Sequence, residues 1–208
     1  MKIDIRKLTD DKAMQEACEM TIIGKSKMTL KKMAMCEHSP LRTQMYWIRL
    51  YDIPLFCSTQ LLRHHVGSQP FQLTCRADRK GGNVRFQERI NQVMDMIVGG
   101  KVDEALCELE WLRDNADRYT KVNLGLCLNA QSLINIAKDR LCSDASAETR
   151  EIFKAIKGAM AEVEPDLYPF LVPKCIYRGG ICNSLTPCGY NKTELFQKEL
   201  AEYKKLFI

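Results

Sequence analysis

The side chains best suited to chemistry are concentrated in residues 63–76. This stretch of fourteen residues holds two arginines, two histidines and two hydroxyls, namely Arg63, His64, His65, Ser68, Thr74 and Arg76. Guanidinium groups bind phosphate through paired hydrogen bonds and stay charged at any working pH, and hydroxyls donate further hydrogen bonds. We therefore predict a binding site for a ligand that carries a phosphate and a polar ring.

Two other polar side chains extend this predicted site. Arg113 can join Arg63 and Arg76 around a monophosphate. Gln60, Arg63 and His64 fall at positions i, i+3 and i+4 of a helix predicted over residues 55–66, so one polar face presents all three.

A further pair, Asn129 and Arg140, lies on a helix predicted over residues 122–141. Eleven residues make close to three whole turns, so the two side chains share a face about 16 Å apart. That separation is too long for a single base. It fits a long ligand such as a dinucleotide, or two ligands lying end to end.

The histidines and cysteines do not form a recognisable metal motif. His64 and His65 are adjacent, and neighbouring helical side chains diverge by about 100°. Cys175, Cys182 and Cys188 are separated by six and five residues, unlike the short Cys pairs of structural zinc sites. An ordinary loop is the preferred interpretation, with zinc as the alternative, and we expect no metal. Other cysteines are predicted to be small buried residues, namely Cys18, Cys57, Cys107, Cys127 and Cys142.

Composition indicates one globular domain over residues 1–208. The chain is 46% hydrophobic, 27% charged and carries a net charge of +5, which suits an anionic small ligand and is too weak to indicate nucleic acid. It contains neither an apolar run long enough for a membrane span nor a signal-peptide pattern. The ten cysteines are therefore expected to be reduced thiols in a cytoplasmic protein.

Periodicity predicts an α+β fold with a small sheet and a helical half. Strands are predicted over residues 1–6, 43–52 and 69–75. Helices are predicted over residues 11–23, 28–36, 55–66, 85–98, 102–114, 122–141 and 146–163. An irregular cysteine-containing segment over 165–190 precedes a C-terminal helix over 191–207, where Asn191 and Glu194 would form a capping box.

Motifs from residue 37 to residue 190 resemble, in the same order, those of the flavin-dependent thymidylate synthases. Residues 63–76 are similar to the family signature RHRxxSxNxxSxR. The other matching segments are Glu37-His38-Ser39-Pro40-Leu41-Arg42 (the H-x-S/T-P segment), Asn129-Ala130-Gln131-Ser132-Leu133 (N-A-R-S-L), Ala147-Glu148-Thr149-Arg150-Glu151-Ile152 (Q-W-E-I-R-E), and Pro173-Lys174-Cys175 through Cys188-Gly189 (a cysteine-containing tail). Three single residues also match in spacing, namely Gln60, Arg113 and Arg140.

The resemblance implies a mostly antiparallel sheet and FAD-dependent reductive methylation of dUMP to dTMP. Methylenetetrahydrofolate would supply the carbon and NADPH the electrons, in a homotetramer with sites between subunits and without a cysteine nucleophile. It assigns the nucleotide to Gln60, Arg63, Ser68, Thr74, Arg76 and Arg113. It assigns the flavin to Ser39, His64, His65, Asn129 and Asn135. Arg140 would orient and polarise the pyrimidine.

The sequence departs from the family pattern at several positions. His65 replaces the second arginine of the signature, Phe71 replaces its asparagine, and Gln131 replaces the arginine of N-A-R-S. Each lost cation removes a charge-assisted contact worth about 1.5–3 kcal/mol, so flavin affinity is the first property affected. Two alternatives stay open. One is another one-carbon modification of a pyrimidine nucleotide, such as hydroxymethylation, and the other is a non-catalytic nucleotide-binding protein that has lost FAD.

Overall fold

A computed structural model of the protein describes residues 1–73, 84–114, 118 and 120–208, without the side chains of 84–87 and 111–114. The strands are β1 Lys2–Lys7, β2 Met45–Pro54, β3 Ser68–Gln72 and β4 Lys121–Asn129. The helices are α1 Asp11–Glu19, α2 Leu30–Cys36, α3 Leu55–Leu62, α4 Val84–Val98, α5 Val102–Asp114, α6 Ala130–Arg140, α7 Ala147–Val163, α8 Lys174–Tyr177 and α9 Glu194–Lys204. Short 3-10 turns cover Ser39–Thr43, Tyr168–Phe170, Tyr190–Lys192 and Lys205–Phe207.

The strands form one sheet in the order β1-β2-β4-β3, and every pairing between them is antiparallel. Ile5 lies opposite Ile48, and Ile48 lies opposite Leu126 on the next strand. Ser68 at the start of β3 pairs with Leu128 near the end of β4. The predicted α+β class and antiparallel sheet are confirmed.

One face of the sheet is buried because apolar residues alternate along its two central strands. Those residues are Tyr46, Ile48 and Leu50 on β2 and Val122, Leu124, Leu126 and Leu128 on β4. Helix α3 packs on both central strands and α6 on β4, while α7 packs on β1 and against α3 and α6. Because α6 follows β4 directly, the core also determines where the helix lies relative to β3.

A buried carboxylate joins α7 to the sheet. Glu164, next to the end of α7, accepts a 3.2 Å hydrogen bond from the Tyr46 hydroxyl. The Lys7 ammonium lies 2.6 Å from the same carboxylate oxygen. A buried charge that is both paired and hydrogen-bonded is tolerated, so this contact links β1, β2 and the helical layer.

The helix predicted over 122–141 is wrong in its first half. Residues 121–129 form β4, and only 130–140 are helical. The alternation of Val122, Leu124, Leu126 and Leu128 is that of a strand buried on one face. Because apolar residues continue into α6, the two elements read as one apolar run.

Several predicted boundaries also shift. Helix α1 ends at Glu19 and α3 ends at Leu62, both four residues early. Helix α9 is capped by the Thr193 side chain, which accepts from the Phe196 amide at 3.2 Å, so the predicted capping box at Asn191 is wrong. In the described part of the chain, every helix is too short or too polar to cross a membrane.

Candidate functional site

The segment 63–68 connects α3 to β3. Arg63 is the C-terminal cap of α3, so it leaves the helix one residue after Leu62. Gly67 has φ +67°, a left-handed conformation that suits glycine, and it turns the chain into β3. Arg63 and His64 therefore lie at the start of this short connection, directly after α3, and Ser68 lies at its end, as the first residue of β3.

Helix α6 holds this connection in place. The backbone N–H of Asn129 donates to the Gly67 carbonyl at 3.0 Å. The Ser132 hydroxyl donates to the Val66 carbonyl at 2.6 Å. A Cβ atom at residue 67 would overlap Asn129 Nδ2 and Ser132 Oγ and lie 3.1 Å from Asn129 Cγ. Only glycine therefore permits this approach between the loop and the helix.

Asn129 lies at the junction of β4 and α6. Its Oδ1 accepts a 2.8 Å hydrogen bond from the Ser132 amide, which caps the first turn of α6. Sequence analysis placed Asn129 inside a long helix, whereas it precedes the helix as its N-cap. The separation from Arg140 still applies, because Arg140 is the last residue of α6 and the helix rises about 1.5 Å per residue.

The other end of α6 forms a cationic cluster with the start of the connection. Burial lowers the pKa of Arg140, an effect that Asp139 opposes and the positive charge of Arg63 reinforces. Burial likewise lowers the pKa of His64, with the nearby Arg140 charge as the next cause. The structure therefore brings together the predicted residues Arg63, His64 and Arg140, and it favours neutral His64.

Three buried polar atoms in this region have no hydrogen-bond partner among the described residues. They are His64 Nε2, Ser68 Oγ and Arg140 Nε. Ser68 is 2% exposed. A buried polar group without a partner costs about 1–3 kcal/mol, so such groups call for a partner beyond the described residues. A nucleotide with phosphate and ring oxygens can supply one.

A second polar group lies along the outer side of α6. Glu37 accepts from the Gln131 amide and from the Lys138 ammonium, which is 3.3 Å from each carboxylate oxygen. Lys138 also lies 3.5 Å from the centre of the Tyr177 ring. Sequence analysis missed Lys138 and Tyr177, because no local pattern connects them with Glu37.

The electrostatics of this group favour an ionised Glu37. Burial alone would raise the Glu37 pKa, but hydrogen bonds from Tyr177 and Gln131 and the Lys138 charge lower it overall. Burial lowers the pKa of Lys138, and the attraction of Glu37 only partly opposes it. Burial and the hydrogen bond to Glu37 raise the pKa of Tyr177 to about 12. The hydrogen bonds and the Lys138 charge therefore favour an ionised Glu37 at neutral pH.

Two residues assigned to the flavin lie beside this group. Asn135 is exposed on α6, and its Oδ1 accepts from Lys138 at 3.1 Å and from Gln131 at 3.4 Å. Ser39 is exposed at the start of a 3-10 turn that packs against α6, two residues after Glu37. Both are accessible to a ligand lying along the helix.

The remaining predicted residues are less informative or lie outside the described part. Gln60 is half-buried on α3, three residues before Arg63. His65 is exposed, and its Nδ1 lies 3.2 Å from the Arg63 carbonyl. Thr74 and Arg76 lie outside the described residues, and so does the side chain of Arg113. Because α3 ends at Leu62, Arg63 and His64 lie just beyond the helix that was predicted to carry them with Gln60.

The structure also locates two departures from the family pattern. Phe71 is 59% exposed on the outer face of β3, with its ring 5.5 Å from the Trp47 ring. It pairs with Gly125, where a Cβ would lie 3.1 Å from the Trp47 ring. Gln131 bonds to Glu37, so the amide that replaces an arginine is already engaged.

Comparison with known structures identifies proteins with the same fold. The chain is similar to thymidylate synthase X from Helicobacter pylori, a structure with FAD and dUMP, at 14% identity and a TM-score of 0.57, over 83% of this chain and 99% of that one. It is also similar to the UMP/dUMP methylase PolB from Streptomyces cacaoi bound with 5-Br dUMP, at 14% identity and a TM-score of 0.52, over 81% and 94%. At this identity the likeness establishes the fold alone.

Comparison with protein families gives a match over most of the sequence. No curated protein matches the chain. The family model described as thymidylate synthase complementing protein matches residues 3–166 of the 208, which include β1 to β4, segment 63–68 and α6. The chain therefore belongs to the thymidylate synthase complementing protein family.

Proposed function

We propose that the protein is an FAD-dependent enzyme that methylates dUMP to dTMP. The observation that carries the proposal is the set of three buried polar atoms without a partner among the described residues, His64 Nε2, Ser68 Oγ and Arg140 Nε. They lie in or beside the segment that matches the family signature. A nucleotide bonded to Ser68 and Arg140 and a flavin bonded to His64 would remove the cost of burying these atoms unpaired.

The charges of the described residues suit a nucleotide monophosphate. Arg63 is exposed at the end of α3 and interacts electrostatically with Arg140. Two guanidinium groups that repel each other gain from an anion placed between them. Arg63 would hold the phosphate, while Arg140 would donate to a pyrimidine oxygen and stabilise the negative charge that develops on the ring. Gln60, Ser68, Thr74, Arg76 and Arg113 complete the proposed nucleotide site.

The residues present fit a flavin along α6. We assign it to Ser39, His64, His65, Asn129 and Asn135. His64 is suitable because its buried Nε2 has no partner within the described ranges. Asn129 is held by its capping bond and could offer its amide hydrogens. Reduced FAD would supply the hydride for the transfer, and the protein residues would orient the two ligands and exclude water.

The solved relatives support this choice of ligands. One is a thymidylate synthase structure with FAD and dUMP, and the other is a UMP/dUMP methylase with 5-Br dUMP. The same proposal includes methylenetetrahydrofolate as carbon donor, NADPH as reductant, a homotetramer and a cytoplasmic location. The cysteines described in the structure are free thiols, which is compatible with that location.

A second candidate is another one-carbon modification of a pyrimidine nucleotide, such as hydroxymethylation. Gln131 favours this candidate. It stands where the family pattern places an arginine beside the flavin, and its side-chain amide is bonded to Glu37. The loss of that arginine also suits a non-catalytic protein that binds the nucleotide and has lost FAD.

The first test is the visible absorption spectrum of the purified protein after loading with FAD and removal of the excess. A retained flavin spectrum is expected. Loaded protein is then incubated with methylenetetrahydrofolate, NADPH and either dUMP or dCMP, and the product mass is measured. Thymidylate supports methylation, and a hydroxymethyl product supports the second candidate. A colourless protein that binds dUMP rejects both enzymes.

Arg140→Ala gives the sharpest check on the proposed role of that residue. We expect turnover to fall by at least about a hundredfold, the scale seen when one stabilising donor is removed. Arg6→Ala is the matched control, because Arg6 is exposed on β1 at the opposite edge of the sheet from β3. Equal rates for parent and Arg140→Ala would refute the assignment.

A further inference from the structure

A cavity of about 300 Å³ lies between the end of α6, helix α7 and the chain from α8 to α9. Four cysteine side chains line it, namely Cys142, Cys175, Cys182 and Cys188. All four are free thiols. Nothing in the proposed nucleotide and flavin site uses them.

The four thiols come from three separate parts of the chain. Cys142 is buried two residues beyond the end of α6, and Cys175 is buried in α8. Cys182 is half-buried and Cys188 is exposed, both in the segment before α9. Sequence spacing did not indicate a metal site, because the fourth thiol lies 33 residues before Cys175 and belongs to a different element.

Contacts between these parts hold the thiols around the same cavity. The Lys174 ammonium lies 3.2 Å from Asp144 in the turn after α6. The Ser143 side chain in that turn hydrogen-bonds with the Cys188 thiol. On the other side, Arg150 of α7 donates to the Ser143 carbonyl at 3.1 Å. The turn is therefore anchored both to α7 and to the cysteine-containing segment.

The charge of the lining suits a tetrathiolate. The cavity is lined by four cationic side chains, Arg150, Lys154, Lys157 and Lys174, and by two carboxylates, Asp144 and Glu199. A divalent ion bound by four thiolates carries a net charge of about −2. The excess of cations around the cavity would offset that charge.

The thiols would have to move closer together to complete such a site. Within the described part of the chain, no three His, Cys, Asp or Glu side chains stand in a metal-binding arrangement. Residues 181–188 make no backbone-to-backbone hydrogen bond with a described residue. Gly180 and Gly189 bracket them with φ of +113° and +79°. Two side-chain hydrogen bonds, from Ser184 to Asp144 and between Cys188 and Ser143, already hold this segment against the turn that follows α6 and carries Cys142.

We propose that Cys142, Cys175, Cys182 and Cys188 bind one structural zinc ion. Tetrahedral sulfur coordination is typical of zinc, and four protein ligands leave no open position for catalysis. Each protonated thiol releases its proton as its Zn–S bond forms, and no atom changes oxidation state. Since Cys142 lies two residues beyond Arg140, the ion would also hold the end of α6.

The test measures metal content in the full chain purified under reducing conditions. Mass spectrometry of the metal is expected to give one zinc per chain. Cys182→Ser and Cys188→Ser should each retain less than about a tenth of it, because removing one thiolate weakens the site strongly. Cys36→Ser is the matched control, since that thiol is exposed on α2 and outside the cavity. Cys182 and Cys188 are chosen because neither is buried in the core, and circular dichroism checks that the variants fold.

Cobalt gives a second readout that does not depend on activity. Co²⁺ added to the metal-free parent should produce the absorption of a tetrahedral thiolate complex, which Zn²⁺ removes and which Cys182→Ser and Cys188→Ser lack. Parent zinc content in both variants, or a reduced chain that takes up neither metal, would overturn the proposal. Intact mass showing disulfides, together with no zinc uptake after reduction, would overturn it in favour of a redox pair.

Discussion

The carbonyl of Gly67 and the amide of Asn129 are joined by a 3.0 Å hydrogen bond that brings the loop before β3 against the first turn of α6. The same asparagine caps that helix with its side chain. One contact therefore connects the signature segment with the helix that ends at Arg140. The distance between the two halves of the candidate site depends on the absence of a side chain at residue 67.

Gly67→Ala should lower both stability and ligand affinity. The new Cβ would overlap Asn129 Nδ2 and Ser132 Oγ, and the left-handed φ adds strain of about 1–3 kcal/mol. Gly100→Ala is the matched control, because Gly100 has φ +76° and nothing within 4 Å of a built Cβ. Thermal unfolding and dUMP binding of the two variants give the comparison. Equal losses would show that the contact with α6 is unimportant.

Glu37→Gln should reduce stability at neutral pH and change its dependence on acid. The pKa of Glu37 is lowered in the folded protein, so its contribution is present above the ordinary pKa of 4.5 and is lost as the pH falls through the folded value. The free energies of unfolding of parent and variant should therefore converge as the pH falls through the lowered pKa of folded Glu37. Denaturant titrations across the acid range measure this. A constant difference at every pH would contradict the ionised role of Glu37.

His64→Gln should remove part of the stability loss seen in mild acid. Burial and the Arg140 charge lower the pKa of His64, so the unfolded chain binds more protons. The contribution of His64 is then present above its ordinary pKa of 6.5 and lost as the pH falls through the folded value. The parent should lose stability more steeply than the variant below pH about 6.5. The exposed neighbour provides the control, His65→Gln, and identical slopes for parent and His64→Gln would exclude the effect.

Tyr46→Phe should destabilise the contact between the sheet and α7. The variant removes the hydrogen bond from the Tyr46 hydroxyl to buried Glu164, while the ion pair of Glu164 with Lys7 stays. We expect a loss of about 1–3 kcal/mol in the free energy of unfolding. Tyr51→Phe is the control, since Tyr51 lies half-buried on the opposite face of β2. Chemical denaturation compares the two. A larger loss in Tyr51→Phe would argue against the buried contact.

Elements with a local signal were predicted correctly from the sequence. Thr29 and Ser146 are of residue types that favour N-caps, and they cap α2 and α7, while α4 ends at Val98 before a pair of glycines. Caps depend on hydrogen bonds between residues three positions apart, so the sequence contains them. The alternation on β2 was equally visible.

The β4–α6 junction shows where local patterns fail. The apolar run from Val122 to Leu141 suits a buried strand followed by a helix as well as a single helix. Hydrogen bonds from β2 and β3 decide in favour of the strand, and both partners are distant in sequence. Asn129 consequently became a cap instead of a helical surface residue.

The sequence alone determined the family motifs, the cationic residues Arg63 and Arg140, and the helices whose caps and periodicity are local. Only the tertiary structure decided which groups meet. It paired Glu37 with Lys138 across 101 residues, placed Gly67 against Asn129, and gathered four thiols around one cavity. The physical reason is that packing and hydrogen bonding depend on distance in space, whereas periodicity and capping act over a few neighbouring residues.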